Sequence, residues 1–250
     1  MASIRAYHRP TTLDAALELL ARDDVRAAPL AGGTVLNGLP TEIPDEVVDL
    51  QALGLSDISR DGAVLDVGSM VTLRDFVDQE WTPPLLRDLA MREAPNTIRN
   101  AATIGGTVAT RDPESGLLAG LLAYAATASV ATSNGVEVVA LEDLVADDSV
   151  PAGGLITSVR IALGGEGAFE VTARTPADIP IVLVAGHRSD EGELRVAASG
   201  VAPHPVVIDL DQIADLDPPD DFRGSADYRR HLVTVLAARV TGRLPEGGVS

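Results

Sequence analysis

Pro29-Leu30-Ala31-Gly32-Gly33-Thr34-Val35 and, well downstream, Ala102-Thr103-Ile104-Gly105-Gly106-Thr107 are the stretches that organise this sequence. Each sets two glycines beside a threonine. Paired glycines let consecutive backbone N–H groups turn inward and form a concave anion nest. The missing Cβ atoms let the main chain approach a phosphate closely, and a threonine hydroxyl adds an uncharged donor. Two such nests can grip one pyrophosphate from two sides. Two ordinary turns are the competing reading of either stretch alone, because short glycine motifs are weak signals.

The elements around the two pairs follow from apolar patterning. Residues 27–31 form an apolar strand running into the first pair. Upstream, Thr11 or Thr12 caps a helix through about residue 21, with Leu13, Ala16, Leu17 and Leu20 on one face. Residues 47–50 and 64–68 read as strands, the second after the Asp61-Gly62 turn signal. Thr72 and Pro83-Pro84 open helices, the latter through Met91 or Glu93. Residues 117–126 form a nearly all-apolar helix, which requires burial on every side. Residues 127–132 and 136–141 flank Asn134-Gly135, a two-residue hairpin signal. Residues 155–163 alternate as a strand, and Gly164-Gly165-Glu166-Gly167 marks a joint. Beyond it, 168–173, 179–186 and 194–199 read as three strands of an antiparallel meander. An aspartate-rich loop, 209–221, leads to a closing helix over about 225–241. In that helix Leu232, Leu236 and Val240 make an apolar arc. Arg229 and Arg239 fall within the arc, so each must snorkel to solvent or find an acid. The reading is α+β in two parts.

Composition excludes whole classes of chemistry. The chain has 250 residues, 19 bases, 37 acids and a formal net charge of −18. Every base is arginine, and cysteine is absent. No disulfide, thiolate zinc site or protein-held iron–sulfur cluster can therefore form on this chain. Neither can a Schiff-base lysine or a P-loop lysine. The charge disfavours nucleic acid and anionic membrane surfaces. At 46% hydrophobic and 3% aromatic residues, the core is built from Ala, Val, Leu and Ile. The longest apolar stretch, 116–131, falls short of the ~20 residues a bilayer span needs. No signal peptide is visible at the start, so the expectation is a cytoplasmic protein with no membrane insertion. The four histidines lack metal-ligand spacing, and neither G-x-S-x-G nor a Rossmann G-x-G-x-x-G turn occurs.

The two glycine stretches also occur within a longer pattern. It includes Tyr7-His8-Arg9-Pro10-Thr11-Thr12-Leu13-Asp14-Ala15-Ala16, Val48-Asp49-Leu50, Leu65-Asp66-Val67-Gly68-Ser69 and Ala226-Asp227-Tyr228-Arg229-Arg230-His231-Leu232. In order and spacing this resembles, over nearly the whole chain, the FAD-binding medium subunit of the molybdenum hydroxylases. That is the group of carbon monoxide dehydrogenase and xanthine dehydrogenase. The resemblance implies a two-subdomain FAD-binding domain of the vanillyl-alcohol-oxidase/CO-dehydrogenase flavoprotein type over 1–164, its subdomains about 1–50 and 51–164. A small C-terminal domain over 167–245 then carries an antiparallel three-stranded sheet and helices.

It further implies an electron-transfer role and no catalytic residue or metal on this chain. A large subunit would hold the molybdopterin and a small one two [2Fe–2S] clusters, in a heterotrimer or its dimer. FAD would pass electrons from the clusters to NAD, a quinone or another acceptor. By position, Ala31, Gly32, Gly33, Thr34 and Val35 would line the first flavin turn. Ala102, Thr103, Ile104, Gly105, Gly106, Thr107 and Thr110 would line the second. Ser115 would meet the flavin's sugar chain, and Ile156 would come near its ring.

The sequence departs from the family pattern at four places. Val35 stands for an acidic or polar residue and Thr107 for asparagine or serine. Gly116 stands where an aspartate commonly bonds the flavin, with Asp112 as a substitute. Glu170 stands for a base, with Arg174 nearest. These departures keep open a degenerate scaffold with weak or no FAD binding. A stand-alone oxidase of the vanillyl-alcohol type would need a substrate domain this chain lacks. Without lysine, Arg99 or Arg111 is the expected base near the pyrophosphate.

Overall fold

The computed structural model describes residues 4–36, 43–146, 153–175 and 178–244. The expected ends of the chain's two parts, residues 1 and 245, lie outside them. β1 (Ala6–His8), β2 (Ala27–Leu30) and β3 (Glu46–Asp49) form a parallel sheet in the order β1-β3-β2. Helix α1 (Leu13–Leu20) follows β1, and Thr12 caps it by accepting from the Ala15 amide at 3.3 Å. The amphipathic face is the one that buries: Ala16 and Leu17 pack with Val48 and Leu50.

A second sheet holds β4 (Ile58–Asp61), β5 (Val64–Gly68), β6 (Thr127–Thr132), β7 (Gly135–Ala140) and β8 (Leu155–Ala162). Its order is β4-β5-β8-β6-β7, antiparallel throughout. Around it lie α2 (Leu73–Asp78), α3 (Pro84–Glu93), α4 (Asn96–Arg99), α5 (Ile104–Thr110), α6 (Gly116–Ala123) and α7 (Leu141–Ala146). Every residue of α6 is buried, as its uniform apolarity requires.

The third sheet holds β9 (Glu166–Thr172), β10 (Val182–Arg188), β11 (Leu194–Ser199) and β12 (Val206–Val207), in the order β12-β11-β10-β9. It has four strands where the sequence suggested three. β12 is two residues long and follows Pro205, too short to show a period of its own. Beyond it the described residues hold a 3₁₀ turn, Ile213–Asp215, and one long helix, α8 (Ala226–Arg243), rather than several helices.

The chain changes sheets at the expected joint, where Gly164 (φ 105°) and Gly165 (φ 71°) take left-handed conformations. The core does not stop there. Leu183, Ala185 and Ala197 of the third sheet share one cluster with Leu117, Leu118 and Leu121 of α6. α8 covers the other face, with Val233, Leu236 and Val240 on Val182, Val184 and Val196. Arg229 sits in this arc at 0% exposure. Its Nη1 donates to the carbonyls of Ile181 (2.6 Å) and Gly200 (2.8 Å), and its Nη2 to the Asp221 carboxylate (2.8 Å). Arg239 takes the other solution and reaches outward, 3.9 Å from Glu170. Among the described residues no helix is long and apolar enough to cross a membrane.

Candidate functional site

The first glycine stretch is a loop at the end of β2. Gly33 adopts φ 69°, a conformation that favours glycine. Gly32 serves a different purpose. A Cβ there would lie 1.6 Å from the Ala101 carbonyl oxygen, so only glycine lets this loop lie against the backbone ahead of the second stretch.

That second stretch is the first turn of α5 and not a loop nest. Thr103 is its cap, with Oγ1 accepting from the Gly106 amide at 3.0 Å. The Ile104 amide donates to Val71 O (3.0 Å) and the Gly105 amide to Ser69 O (2.9 Å). A Cβ on Gly105 would sit 2.6 Å from Ser69 Cβ, so this glycine seats α5 against the strand loop. These amides are engaged. By contrast, the Gly33 and Thr34 amides donate to no acceptor among the described residues. The two-nest expectation is therefore corrected. One stretch offers amides, and the other offers a glycine-bare wall and hydroxyls. The Thr107 and Thr110 hydroxyls donate to the carbonyls of Thr103 and Thr107, both at 3.2 Å, which leaves their lone pairs open.

Between these elements lies a cavity of about 650 Å³. It brings together Ala31, Gly32, Gly33, Thr34, Val35, Ala102, Thr103, Gly105, Gly106, Thr107, Thr110 and Ile156. Ile104 stays out, wholly buried in the core. Ser115 stays out too. It is 3% exposed and caps α6, accepting from the Leu118 amide at 3.0 Å and donating to the Glu93 carboxylate. A cap serine and a ligand-binding serine look alike in sequence.

Glu93 and Asp112 are the only charged residues lining the cavity among the described residues. Burial pushes the Glu93 carboxyl up, against the Ser115 hydroxyl and the Leu117 amide (3.0 Å), which hold it down. Burial also raises Asp112, against the pull of Arg223. The expected arginine is missing from the lining. Arg99 donates to the carbonyls of Met91 (2.8 Å) and Ala94 (2.6 Å), and Arg111 to that of Val145 (3.2 Å).

Two of the departures fall away from the cavity. A Cβ on Gly116 would meet Leu183 Cδ1 at 2.9 Å, so this position faces the packed core. Glu170 lies on β9, paired with Arg243 at 2.5 Å. Val35 and Thr107 do line the cavity, and Asp112 supplies one of its two acids. Sequence reading missed Glu93, which carries no local signal. It also missed Gly153-Gly154, a glycine pair that was visible. Both line the cavity, and Gly153 takes φ 76° where it abuts Ala21 at the end of α1.

Comparison with known proteins gives the family of the chain. Residues 2–163 match the FAD binding domain in molybdopterin dehydrogenase. The chain belongs to this family. It is 30% identical to the uncharacterized protein YgfM of Escherichia coli (strain K12), over 98% of both chains. It is 27% identical to the carbon monoxide dehydrogenase medium chain of Afipia carboxidovorans, over 95% of both. In three dimensions it matches a chain of the Cu,Mo-CO dehydrogenase crystal structure with a TM-score of 0.87, at 25% identity and 98% coverage of each chain.

This molybdopterin-dehydrogenase family member is an FAD-binding medium subunit of the molybdenum hydroxylase type and an oxidoreductase subunit. Its cofactor is FAD. The cavity suits that group. It has, at a left-handed glycine, amides that donate to no acceptor among the described residues and can take a diphosphate, hydroxyls on α5, and apolar side chains such as Leu50, Met70 and Ile156 for a ring.

Proposed function

We propose that this chain is the electron-transfer flavoprotein of a molybdopterin-dependent hydroxylase complex in the cytoplasm. In this reading residues 1–164 form the FAD-binding part and 167–245 the C-terminal part. The observation that carries the proposal is the single cavity that joins the two glycine stretches and lies between the first two sheets. When bound, FAD supplies a carrier that accepts electrons from clusters and releases them to an oxidant. The chain's residues hold it. The Gly33 and Thr34 amides and the Thr34 hydroxyl take the pyrophosphate without a cation. Gly106, bare of side chain, leaves room beside it, and Thr107 and Thr110 offer hydroxyls. Asp112 accepts a hydrogen bond from a cofactor hydroxyl or N–H, and Ile156 flanks the ring.

By the family resemblance, a small partner would carry the [2Fe–2S] clusters and a large one the molybdopterin, and the absence of cysteine from this chain fits clusters held elsewhere. The acceptor is NAD, a quinone or another oxidant. The test is Gly106→Asp in the reassembled complex. A carboxylate then projects beside the pyrophosphate site, and the cofactor band and electron transfer are expected to vanish while the subunits still assemble. A variant that keeps full electron transfer contradicts the proposal and favours a scaffold that has kept the fold alone.

A further inference from the structure

Strand β9 ends the third sheet. It pairs with β10 on one side and, among the described residues, with no strand on the other. The ladder fixes which of its backbone groups are spare. The Ser189 amide donates to the Glu193 carbonyl and the Ile208 amide to that of Val196, both at 2.9 Å. Odd-numbered residues of β11 therefore bond to β10, and even-numbered ones to β12. In register, Leu183, Ala185 and His187 of β10 turn to β11, and Val182, Val184 and Gly186 turn to β9. On β9 this leaves Gly167, Phe169 and Val171 with amide and carbonyl turned outward. No donor or acceptor among the described residues meets these groups.

All three residues line a cavity of about 710 Å³ along this edge. Leu85, Asp88 and Arg92 of α3 form one wall, and Arg243 and Leu244 at the end of α8 the other. An open edge is a template for another strand, and β9 carries neither lysine nor proline to blunt it. Phe169 and Val171 are half-buried, so their unpaired backbone groups cost free energy that an added strand recovers.

Charge selects among possible strands. Glu170 is matched by Arg243 at 2.5 Å, and the Arg92 guanidinium lies over the Phe169 ring, 5.3 Å from its centroid. Asp88 and Glu166 line the same cavity with no ion-pair partner among the described residues. The charge left over is acidic, in a chain of net charge −18, and it complements a basic segment. A second copy of this chain would set the same acids against each other.

We propose that this edge is a docking site for another protein, whose extended, basic segment joins the third sheet as a strand beside β9. Its backbone pairs with Gly167, Phe169 and Val171, and its basic side chains meet Asp88 and Glu166. The site shares no lining residue with the glycine-stretch cavity, so it stands apart from the FAD reading.

The experiment titrates the full chain into dye-labelled Val-Lys-Val-Arg-Val and reads fluorescence anisotropy. The same peptide methylated at every backbone nitrogen keeps the charge and loses the donors. Val171→Pro removes an outward amide and leaves the β10 ladder intact, with Val171→Ala as the control for the lost side chain. Asp88→Arg reverses a rim charge at an exposed position. The native chain is expected to bind the parent peptide. Binding is expected to weaken at least about tenfold on methylation, in Val171→Pro relative to Val171→Ala, and in Asp88→Arg relative to the native chain. Failure of the native chain to bind, or equal binding in any of these three comparisons, overturns the proposal. Sedimentation that finds a dimer of the chain dispersed by Val171→Pro also overturns it, in favour of a second copy.

Discussion

At the scale of single residues, Gly32 and Gly33 stand side by side and do different work. Gly33 needs its conformation, while Gly32 needs its missing side chain because the Ala101 carbonyl occupies the space. Gly32→Ala should therefore be the more damaging change. A methyl group 1.6 Å from a backbone oxygen forces the loop away from α5. Such overpacking costs about 2 kcal/mol or more, against about 1 kcal/mol for alanine at a left-handed position. Urea unfolding of the two variants measures this, and equal midpoints would contradict it. The sequence displayed the pair but not this division, because nothing local says that residue 101 abuts residue 32. Ser115 shows the same limit. Its place by motif suggested a cofactor contact, yet its oxygen is used on the Leu118 amide and the Glu93 carboxylate.

At the scale of elements, caps and periodicity were legible. Thr12, Thr72 and Ser225 each cap the helix they were expected to start. α5 was not legible, because Gly105-Gly106 lowers helix propensity by about 1 kcal/mol per glycine relative to alanine. Packing on Ser69 and the Thr103 cap outweigh that cost. β4 was also missed, since Ser59, Arg60 and Asp61 lie on an exposed edge with no apolar alternation. α6 gives an element-scale prediction. It ends at Tyr124, whose ring stacks on His187 with centroids 3.8 Å apart, while His187 Nε2 donates to the Gly164 carbonyl at 2.9 Å. Burial holds this imidazole below its ordinary 6.5. The unfolded chain thus binds the proton more readily, and the His187 contribution, complete above 6.5, is lost as the pH falls below it. Glu93 and Asp112, raised by burial, act with the opposite sign and lose stability as the pH rises past the ordinary carboxylate range. Between about pH 7.5 and 5.5 the thermal midpoint of the native chain is expected to fall relative to that of His187→Gln, which lacks the titrating imidazole. Identical slopes in the two proteins would remove His187 from the account.

At the scale of the whole molecule, the net charge of −18 bears on the proposed FAD cavity, whose lining holds no cation among the described residues. The field of the chain opposes an anionic dinucleotide, and in the proposed site the Gly33 and Thr34 amides bind against it. FAD affinity should therefore rise as salt is added from about 10 to 150 mM, over which the screening length shortens from about 30 to 8 Å. A steep fall with salt would mean that cations hold the pyrophosphate after all. Much of the architecture was legible because the uniformly apolar α6 must be buried, and its cluster joins the second sheet to the third. The cavity was half legible. Gly32-Gly33 and Gly105-Gly106 announced themselves, but Gly153-Gly154 was passed over and Glu93 reaches it only through tertiary packing. The central claim is that the loop at Gly33 holds FAD. The most direct measurement is an equilibrium FAD titration of the native chain and of Gly33→Asp, with folding checked by circular dichroism. The account predicts one FAD per native chain and a loss of at least about 100-fold in affinity in the folded variant, or about 2.7 kcal/mol. Stoichiometric, undiminished FAD binding by folded Gly33→Asp would contradict it.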